Sequence, residues 1–205
     1  MINLAKLFET QKLLDKRIVD EHNLHGHDLL PQKILALQVE LAELANEWRE
    51  FKFWSRDQEP RTFEWIGKCE KCNGHGVDDE NISCPNCAGT GDGNRNPLLE
   101  EYVDCLHFIL SIGNDISLSN VLVKNLEGEF KDMLECFRHC NNWVVNLDYT
   151  LHETACYIST IEKVYENLIS VFLELGEMLG FTPEQIEQSY YEKNAINHQR
   201  QTDKY

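Results

Sequence analysis

The sequence predicts an all-α fold, a helical bundle that is interrupted by a small zinc-binding insert. Apolar residues recur at helical spacing over most of the chain, and no alternating strand pattern competes outside the insert. The segment 67–96 is different, because it holds half of the eight cysteines and most of the eleven glycines. A length of 205 residues is enough for one domain with a substantial core and a small inserted module. We therefore expect one helical domain from 1–66 and 97–205, with the insert at 67–96.

The first two helices are predicted by apolar spacing and by the residues that end it. From Leu4 onward, apolar side chains recur at roughly helical spacing until the polar turn at 22–28. Pro31 then stands where a first helical turn accepts proline, and apolar residues follow at steps of three and four as far as Trp48. The aromatic run 48–54 ends this second pattern.

The chain after the insert is also predicted to be helical. Periodicity resumes after Pro97 and continues through 118–140 and 157–179. The sequence Thr182–Pro183–Glu184 has the composition of an N-cap, a first helical position and an acidic first turn, so it predicts the start of a last helix. Four cysteines outside the insert are expected to pack as small hydrophobes, although an i, i+4 pair among them could also bind a metal. They are Cys105, Cys136, Cys140 and Cys156.

Charge and hydropathy restrict the ligands and the compartment. The net charge of −16 argues against binding of a nucleic-acid polymer, which needs clustered lysine and arginine. No run approaches the roughly 18 apolar residues of a membrane span, so no membrane partner is expected. We expect a cytoplasmic protein, in which the cysteines form no disulfide framework and need a metal or a packing role.

Two acidic motifs point to a divalent cation. Glu40 and Glu43 stand three residues apart in one predicted helix, and Glu101 and Asp104 stand three residues apart in another. Carboxylates at that spacing lie on one helical face with Cβ atoms about 5–6 Å apart, where like charges repel. Solvated acidic faces would explain either pair alone, but two pairs within apolar helices favour a shared cation. Oxygen ligands suit Mg²⁺, and Mg²⁺ suits phosphates.

The insert contains two copies of the pattern C-x-x-C-x-G-x-G. Cys69 and Cys72 belong to the first copy, and Cys84 and Cys87 to the second. Four thiolates supply a tetrahedral Zn²⁺ site, and glycines after each pair let the backbone turn tightly around the sulfurs. The pattern resembles the zinc repeats of Hsp40-type chaperones over some twenty residues. That resemblance implies a loop stapled by zinc, with a redox dithiol role as a less favoured alternative.

The rest of the chain resembles the dimeric all-α dUTPases, a phage and bacterial family within the MazG-like nucleotide pyrophosphohydrolases. The likeness is carried by residues 7–15, 39–54, 100–108 and 191–201, which include F-K-F-W, D-x-L-H-F and K-N-x-x-N-x-x-R-Q. It implies a MazG-like helical bundle, a homodimer in a bacterial or phage-infected cytosol, and Mg²⁺-dependent hydrolysis of dUTP to dUMP and pyrophosphate. Whether dUDP is also cleaved stays open. Lys204 departs from the glycine that the family has near its C-terminus.

The resemblance also implies roles for individual residues. Glu40, Glu43, Glu101 and Asp104 would bind Mg²⁺, and Glu43, or its neighbour Glu40, would accept a proton from the attacking water. Other residues would bind the triphosphate, and they are Lys193, Asn194, Asn197 and Arg200. Three of them, Lys193, Asn197 and Arg200, follow at steps of four and three residues, so they share one helical face that suits phosphate oxygens. A last set would form the uracil pocket. It comprises Gln11, His107 and Phe108, with Phe53 or Trp54.

Two alternative functions stay open at this point. Another MazG-like pyrophosphohydrolase with a different base preference would use the same metal-binding and phosphate-binding residues. A non-enzymatic regulator that uses the zinc knuckles for interaction would not need an intact set of four acids. Acidic residues also outnumber basic residues in the insert, which disfavours nucleic acid as its partner.

Overall fold

A computed structural model describes residues 2–69, 71–77, 81–84, 87, 89–153 and 157–203. The described residues form six helices and one two-stranded sheet, so the predicted all-α class is confirmed. The helices are α1 (Leu4–Glu21), α2 (Leu30–Trp48), α3 (Pro97–Asp115), α4 (Met133–His152), α5 (Ile158–Met178) and α6 (Pro183–Thr202). The strands are β1 (Glu64–Lys68) and β2 (Asp92–Arg95), which pair antiparallel.

The core of the bundle forms around α3, most of which is buried. One side of α3 packs along α2, and α1, α5 and α6 cover other parts of it. The helices α4 and α5 pair with each other, and α4 also contacts α2. Cys105, Cys136 and Cys140 lie fully buried in this core, which confirms their predicted packing role, whereas Cys156 lies outside the described residues. Across the described part of the chain, each helix is too short or too polar to cross a bilayer.

The helix ends form where the local sequence predicts them. The helix α2 ends at Trp48, and Arg49 follows in a left-handed conformation with φ of 67°. At the start of α6, the Thr182 hydroxyl accepts a hydrogen bond from Gln185 N, and the Gln185 side chain accepts one from Thr182 N. This capping box satisfies two backbone donors that the first helical turn leaves free. Both observations confirm the predicted boundaries.

The prediction of helix across 118–140 is wrong for its first part, since α4 begins only at Met133. Residues 118–132 instead run in irregular backbone along α5, where Leu122 N donates to Glu166 Oε1 and Lys124 N to Ser170 Oγ. Several apolar side chains of this segment pack against the core, which produced the apparent periodicity. Gly128, with φ of 76°, and the N-cap Asp132 set the later start.

The two strands form the base of the cysteine-rich insert. Glu64 of β1 pairs with Arg95 of β2, and the register is irregular between Trp65 and Gly67. The strand β1 begins at Glu64, three residues before the predicted insert 67–96, and β2 ends at Arg95, directly before the N-cap of α3. The Arg95 guanidinium also bridges Glu64 and Glu100, so the hairpin is tied to the first turn of α3.

Candidate active site

A cavity of about 350 Å³ opens between four helices of the bundle. We call one part the outer part, because its side chains are partly buried or exposed, and the other the inner part, because its polar side chains are buried. The outer part is lined by Glu40, Asp104, Lys193, Asn197 and Arg200, and the inner part by Gln11, His107 and Ser111 with their neighbours on α1 and α3. The lining residues are Gln11, Leu14, Asp15, Ile18, Val19, Lys33, Glu40, Asp104, His107, Phe108, Ser111, Lys193, Asn197 and Arg200. The chain thus brings residues that are far apart in sequence to one polar cavity.

Three of the four predicted metal-binding carboxylates converge at the outer part, where Glu40 and Asp104 line the cavity and Glu101 lies beside them. Oxygen atoms of Glu40, Glu101 and Asp104 lie within 4.8 Å of one another, and all three residues are partly buried. Glu43 is exposed and lies outside this group. The cause is local: Glu40 faces α3 along the packed side of α2, whereas Glu43 lies at the edge of that contact. The trio is an all-oxygen donor set of the kind that hard divalent cations prefer.

Burial and mutual repulsion hold a proton on part of this cluster. Burial, with the charges of Asp104, Glu43 and Glu101, raises the pKa of Glu40 to about 7. Burial and the charges of Asp104 and Glu43 likewise raise the pKa of Glu101 to about 7. Burial also raises the pKa of Asp104, although Lys193 opposes that shift. A cation within the trio would replace this repulsion with attraction, so the residues fit a divalent metal.

A basic face of α6 lies opposite the carboxylates. Lys193 donates to Asp104 Oδ2 at 2.5 Å, and both side chains are largely buried. Asn197 and Arg200 follow at steps of four and three residues and line the same cavity. The fourth predicted phosphate residue, Asn194, is buried and does not line the cavity. This face of α6 therefore offers two cations and an amide beside an acidic trio, which suits an anionic ligand bound together with a metal.

The inner part of the cavity is built on a buried hydrogen-bond network around Gln11. The Gln11 amide donates to Asp15 Oδ1 at 2.8 Å, and its carbonyl oxygen lies 2.7 Å from His107 Nδ1 and 2.9 Å from the Tyr190 hydroxyl. The Tyr190 ring stacks on His107 with centroids 4.3 Å apart. Burial and the charge of Lys193 lower the pKa of His107 to about 3, so this imidazole is neutral near pH 7.

The two aromatic residues that were expected at the uracil pocket lie elsewhere. Phe53 and Trp54 are 85% and 65% exposed and do not line the cavity. They follow the end of α2, where their rings pack edge-to-face on each other. Phe108, by contrast, does line the cavity beside His107.

Several residues of the cavity lining and of the network around Gln11 were missed in the sequence, although helical spacing could have indicated them. Asp15 lies one turn after Gln11, and Ser111 lies one turn after His107, so each shares a face with a predicted residue. Tyr190 lies one turn before Asn194 and reaches Gln11 from α6. Spacing gives the face of each helix, but only the packing of α1, α3 and α6 shows that these faces meet.

A comparison with protein families identifies the family to which this chain belongs. A family model described as dUTPase matches residues 3–66 and 89–205. The chain belongs to the dUTPase family. This membership indicates an enzyme that hydrolyses dUTP. A comparison with curated proteins gives no match.

The lining residues of the cavity all fall within the parts that match the dUTPase family, while the four insert cysteines fall in the unmatched stretch 67–88. At the C-terminus the match includes Lys204, but that departure from the expected glycine lies outside the described residues. The dUTPase match thus covers the helical bundle and omits the knuckles.

The unmatched stretch of this dUTPase holds a buried group of four thiols. The sulfurs of Cys69, Cys72, Cys84 and Cys87 lie within 4.8 Å of one another. Two cross pairs measure 4.0 Å and 3.7 Å, for Cys69–Cys84 and Cys72–Cys87 respectively. Four sulfurs at about 2.3 Å from one zinc ion stand about 3.8 Å apart in a tetrahedron, so this group could hold zinc.

The repeated glycines explain why the two knuckles fit together. Gly76 and Gly91 have positive φ, and each donates a backbone N–H to the second thiol of its own knuckle, at 3.2 Å in both copies. A Cβ on Gly76 would stand 2.4 Å from Gly89 O, and a Cβ on Gly91 would stand 2.5 Å from Gly74 O. The knuckles therefore pack backbone against backbone with approximate two-fold symmetry, which only glycine permits at these positions.

Proposed function

We propose that the protein is a Mg²⁺-dependent dUTP diphosphatase that produces dUMP and pyrophosphate. The observation that carries this proposal is one cavity in a dUTPase-family bundle, where Glu40 and Asp104 lie with Lys193 and Arg200. Glu101 beside them completes a trio of carboxylates. A triphosphate needs cations around its oxygens, and this chain offers both fixed cations and a site for a mobile one.

Glu40, Glu101 and Asp104 would hold Mg²⁺, with Glu43 beside them. When it is bound, Mg²⁺ neutralises phosphate charge and lowers the pKa of a coordinated water. The raised pKa values of Glu40 and Glu101 support this assignment, because such carboxylates gain a favourable partner when a cation binds.

Glu43 is the proposed proton acceptor for the attacking water. Its charge contributes to the raised pKa values of Glu40 and Glu101, so it lies near the trio, yet it does not belong to the converging oxygens. A carboxylate that lies near the metal-binding residues, but is not needed to bind the metal, can accept a proton from the water. Glu40 is the second candidate for this role. The bond that breaks joins the α-phosphate to the β-phosphate.

Lys193, Asn197 and Arg200 would bind the triphosphate, with Asn194 supporting them from behind. Lys193 is paired with Asp104 and can exchange that carboxylate for a phosphate oxygen when Asp104 binds the metal. The inner part of the cavity would receive uracil, where Phe108 offers an aromatic face and Gln11 and His107 lie at its polar end.

Two features complete the proposal. The four insert cysteines would bind one structural Zn²⁺, which closes a tetrahedral shell and leaves no open position for substrate. The active form would be a homodimer, as the family resemblance implies, with a mass near twice 23.9 kDa in sedimentation.

The experiment that tests this function is pyrophosphate release from the four common dNTPs and dUTP, each with and without Mg²⁺. We expect release from dUTP with Mg²⁺ and little from the others. Equal rates for all substrates would replace the proposal with a broader pyrophosphohydrolase. No release from any nucleotide would contradict the enzymatic function itself.

A further inference from the structure

The protons of the network around Gln11 can be assigned from its partners. The Gln11 Nε2 amide faces the Asp15 carboxylate at 2.8 Å, and the reverse orientation would place two acceptors against each other. Gln11 Oε1 therefore faces His107 Nδ1 at 2.7 Å, so this nitrogen must carry the hydrogen. Tyr190 donates its hydroxyl to the same oxygen at 2.9 Å. The Gln11 carbonyl accepts twice and is occupied within the protein.

This arrangement leaves a lone pair on the other nitrogen of His107. A neutral imidazole that donates from Nδ1 is an acceptor at Nε2. His107 is 6% exposed and lines the cavity, and its Nε2 atom has no hydrogen-bond partner among the described residues. Buried polar atoms of this kind are normally paired, so the partner of His107 Nε2 is expected to come from the ligand.

We propose that Gln11 is a positioning residue that fixes His107 as an acceptor at Nε2, so that the inner cavity selects a pyrimidine with a ring N3–H. This inference rests on the proposed function and assigns its base selectivity to a hydrogen-bond pattern. Uracil carries a hydrogen on N3, whereas N3 of cytosine is an acceptor. A cytosine placed in the same way would set one lone pair against another in a buried site, which costs more than a missing contact.

In this role Gln11 orients His107 and does not itself form the selective hydrogen bond to the base. Gln11 is 3% exposed and all but one of its hydrogen-bonding positions face protein groups. Tyr190 supports the same orientation, because its ring stacks on His107 at an interplanar angle of 20°. The selective atom is thus held by three helices, α1, α3 and α6.

The first test measures the tautomer directly by NMR of the protein labelled with ¹⁵N-histidine. The His107 signals are assigned by their loss in His107→Gln. We expect a protonated Nδ1 and an unprotonated Nε2 that stay unchanged from pH 5.5 to 8.5. An Nε2–H tautomer in the parent protein would overturn the inference even if dUTP were hydrolysed, which separates its failure from that of the proposed function.

The second test uses Gln11→Met, which keeps the side-chain volume and removes all three of its hydrogen bonds. We expect the ratio of kcat/KM for dUTP over dCTP to fall by roughly tenfold or more, together with a change in the His107 tautomer. Gln188→Met is the matched control, since Gln188 also donates to a carboxylate at i+4 but does so on the exposed face of α6. That control should leave the ratio unchanged.

A rescue variant guards against loss of folding in Gln11→Met. In the double variant Gln11→Glu/Asp15→Asn, donor and acceptor exchange places, and an acceptor still faces His107 Nδ1. We expect the Nδ1–H tautomer and the preference for dUTP to return. A changed tautomer with an unchanged dUTP preference in Gln11→Met would overturn the inference, as would a rescued tautomer without rescued preference. Binding of dUMP against dCMP, measured by calorimetry, reports the same selectivity independently of turnover.

Discussion

Glu43 and Glu40 are neighbours in sequence, but the bundle gives them different surroundings. Glu40 is half-buried among other carboxylates, and Glu43 is exposed at the edge of the cluster. The first position favours cation binding, and the second favours proton transfer with water. This division could not be predicted from E-x-x-E alone, because the motif is symmetrical and the packing of α2 on α3 is not.

Glu43→Gln is expected to keep the fold and lower kcat for dUTP by about 100-fold or more, because it removes proton acceptance without removing volume. The measurement is pyrophosphate release at saturating Mg²⁺, with circular dichroism as the check on folding. Glu162→Gln on the exposed face of α5 is the matched control. Turnover within a few-fold of the parent would show that Glu43 is not the base.

The charge of Glu40 is expected to destabilise the protein without Mg²⁺ at neutral pH. In the folded protein the pKa of Glu40 is about 7, which lies above its ordinary value in the unfolded chain. The contribution of Glu40 to the free energy of unfolding is therefore fully present below the unfolded pKa, and it is lost as the pH rises through about 7. Glu40→Gln should therefore be more stable than the parent by about 1–2 kcal/mol at pH 8, after allowance for partial solvent exposure. At pH 4, below the ordinary pKa of 4.5, the two should be about equally stable.

Urea denaturation in Mg²⁺-free buffer at both values of pH measures this difference. Added Mg²⁺ should stabilise the parent at pH 8 and leave Glu40→Gln less affected. Equal stability of the two proteins at pH 8 would show that Glu40 carries no repulsion to relieve.

At the scale of the elements, the sequence predicts helices well where packing and capping agree. The start of α6 was predictable because Thr182 and Pro183 act locally. The irregular stretch 118–132 was not, since its apolar side chains contact α5 and imitate helical periodicity. The network of Gln11, His107 and Tyr190 was also beyond the sequence, because its members come from three different helices.

The knuckle glycines allow a sharp test of the insert. Gly76→Ala would place a Cβ 2.4 Å from Gly89 O, so we expect the module to lose its fold and most of its affinity for zinc. Gly26→Ala is the matched control, because Gly26 has a similar positive φ of 78° but no atom within 4 Å of the added Cβ. Zinc retention against a competing chelator is the measurement. Equal retention in both variants would contradict the proposed packing of the knuckles.

At the scale of the whole molecule, the insert and the cavity are joined through a segment that does not depend on the cysteines. Arg61 N donates to Glu47 O at 2.9 Å, and Leu98 N donates to Arg61 O at 3.0 Å. These bonds connect the end of α2 with the start of α3 below the hairpin. The two helices that carry the carboxylates are therefore held together by the bundle itself.

The variant Cys84→Ser/Cys87→Ser is accordingly expected to lose its zinc yet hydrolyse dUTP within a few-fold of the parent. Metal analysis should find about one zinc per chain in the parent and none in the variant. Circular dichroism should show unchanged helix content. Loss of turnover with an intact bundle would assign the insert a part in catalysis that its position does not suggest.

The central claim is that one cavity holds a divalent cation and the triphosphate of dUTP side by side. A crystal structure with Mn²⁺ and the non-hydrolysable analogue α,β-imido-dUTP, with anomalous scattering from manganese, tests it most directly. We predict a manganese peak among Glu40, Glu101 and Asp104, with phosphate oxygens beside Lys193 and Arg200 and the uracil ring against His107. A nucleotide bound outside this cavity, or manganese absent from the carboxylate trio, would contradict the account.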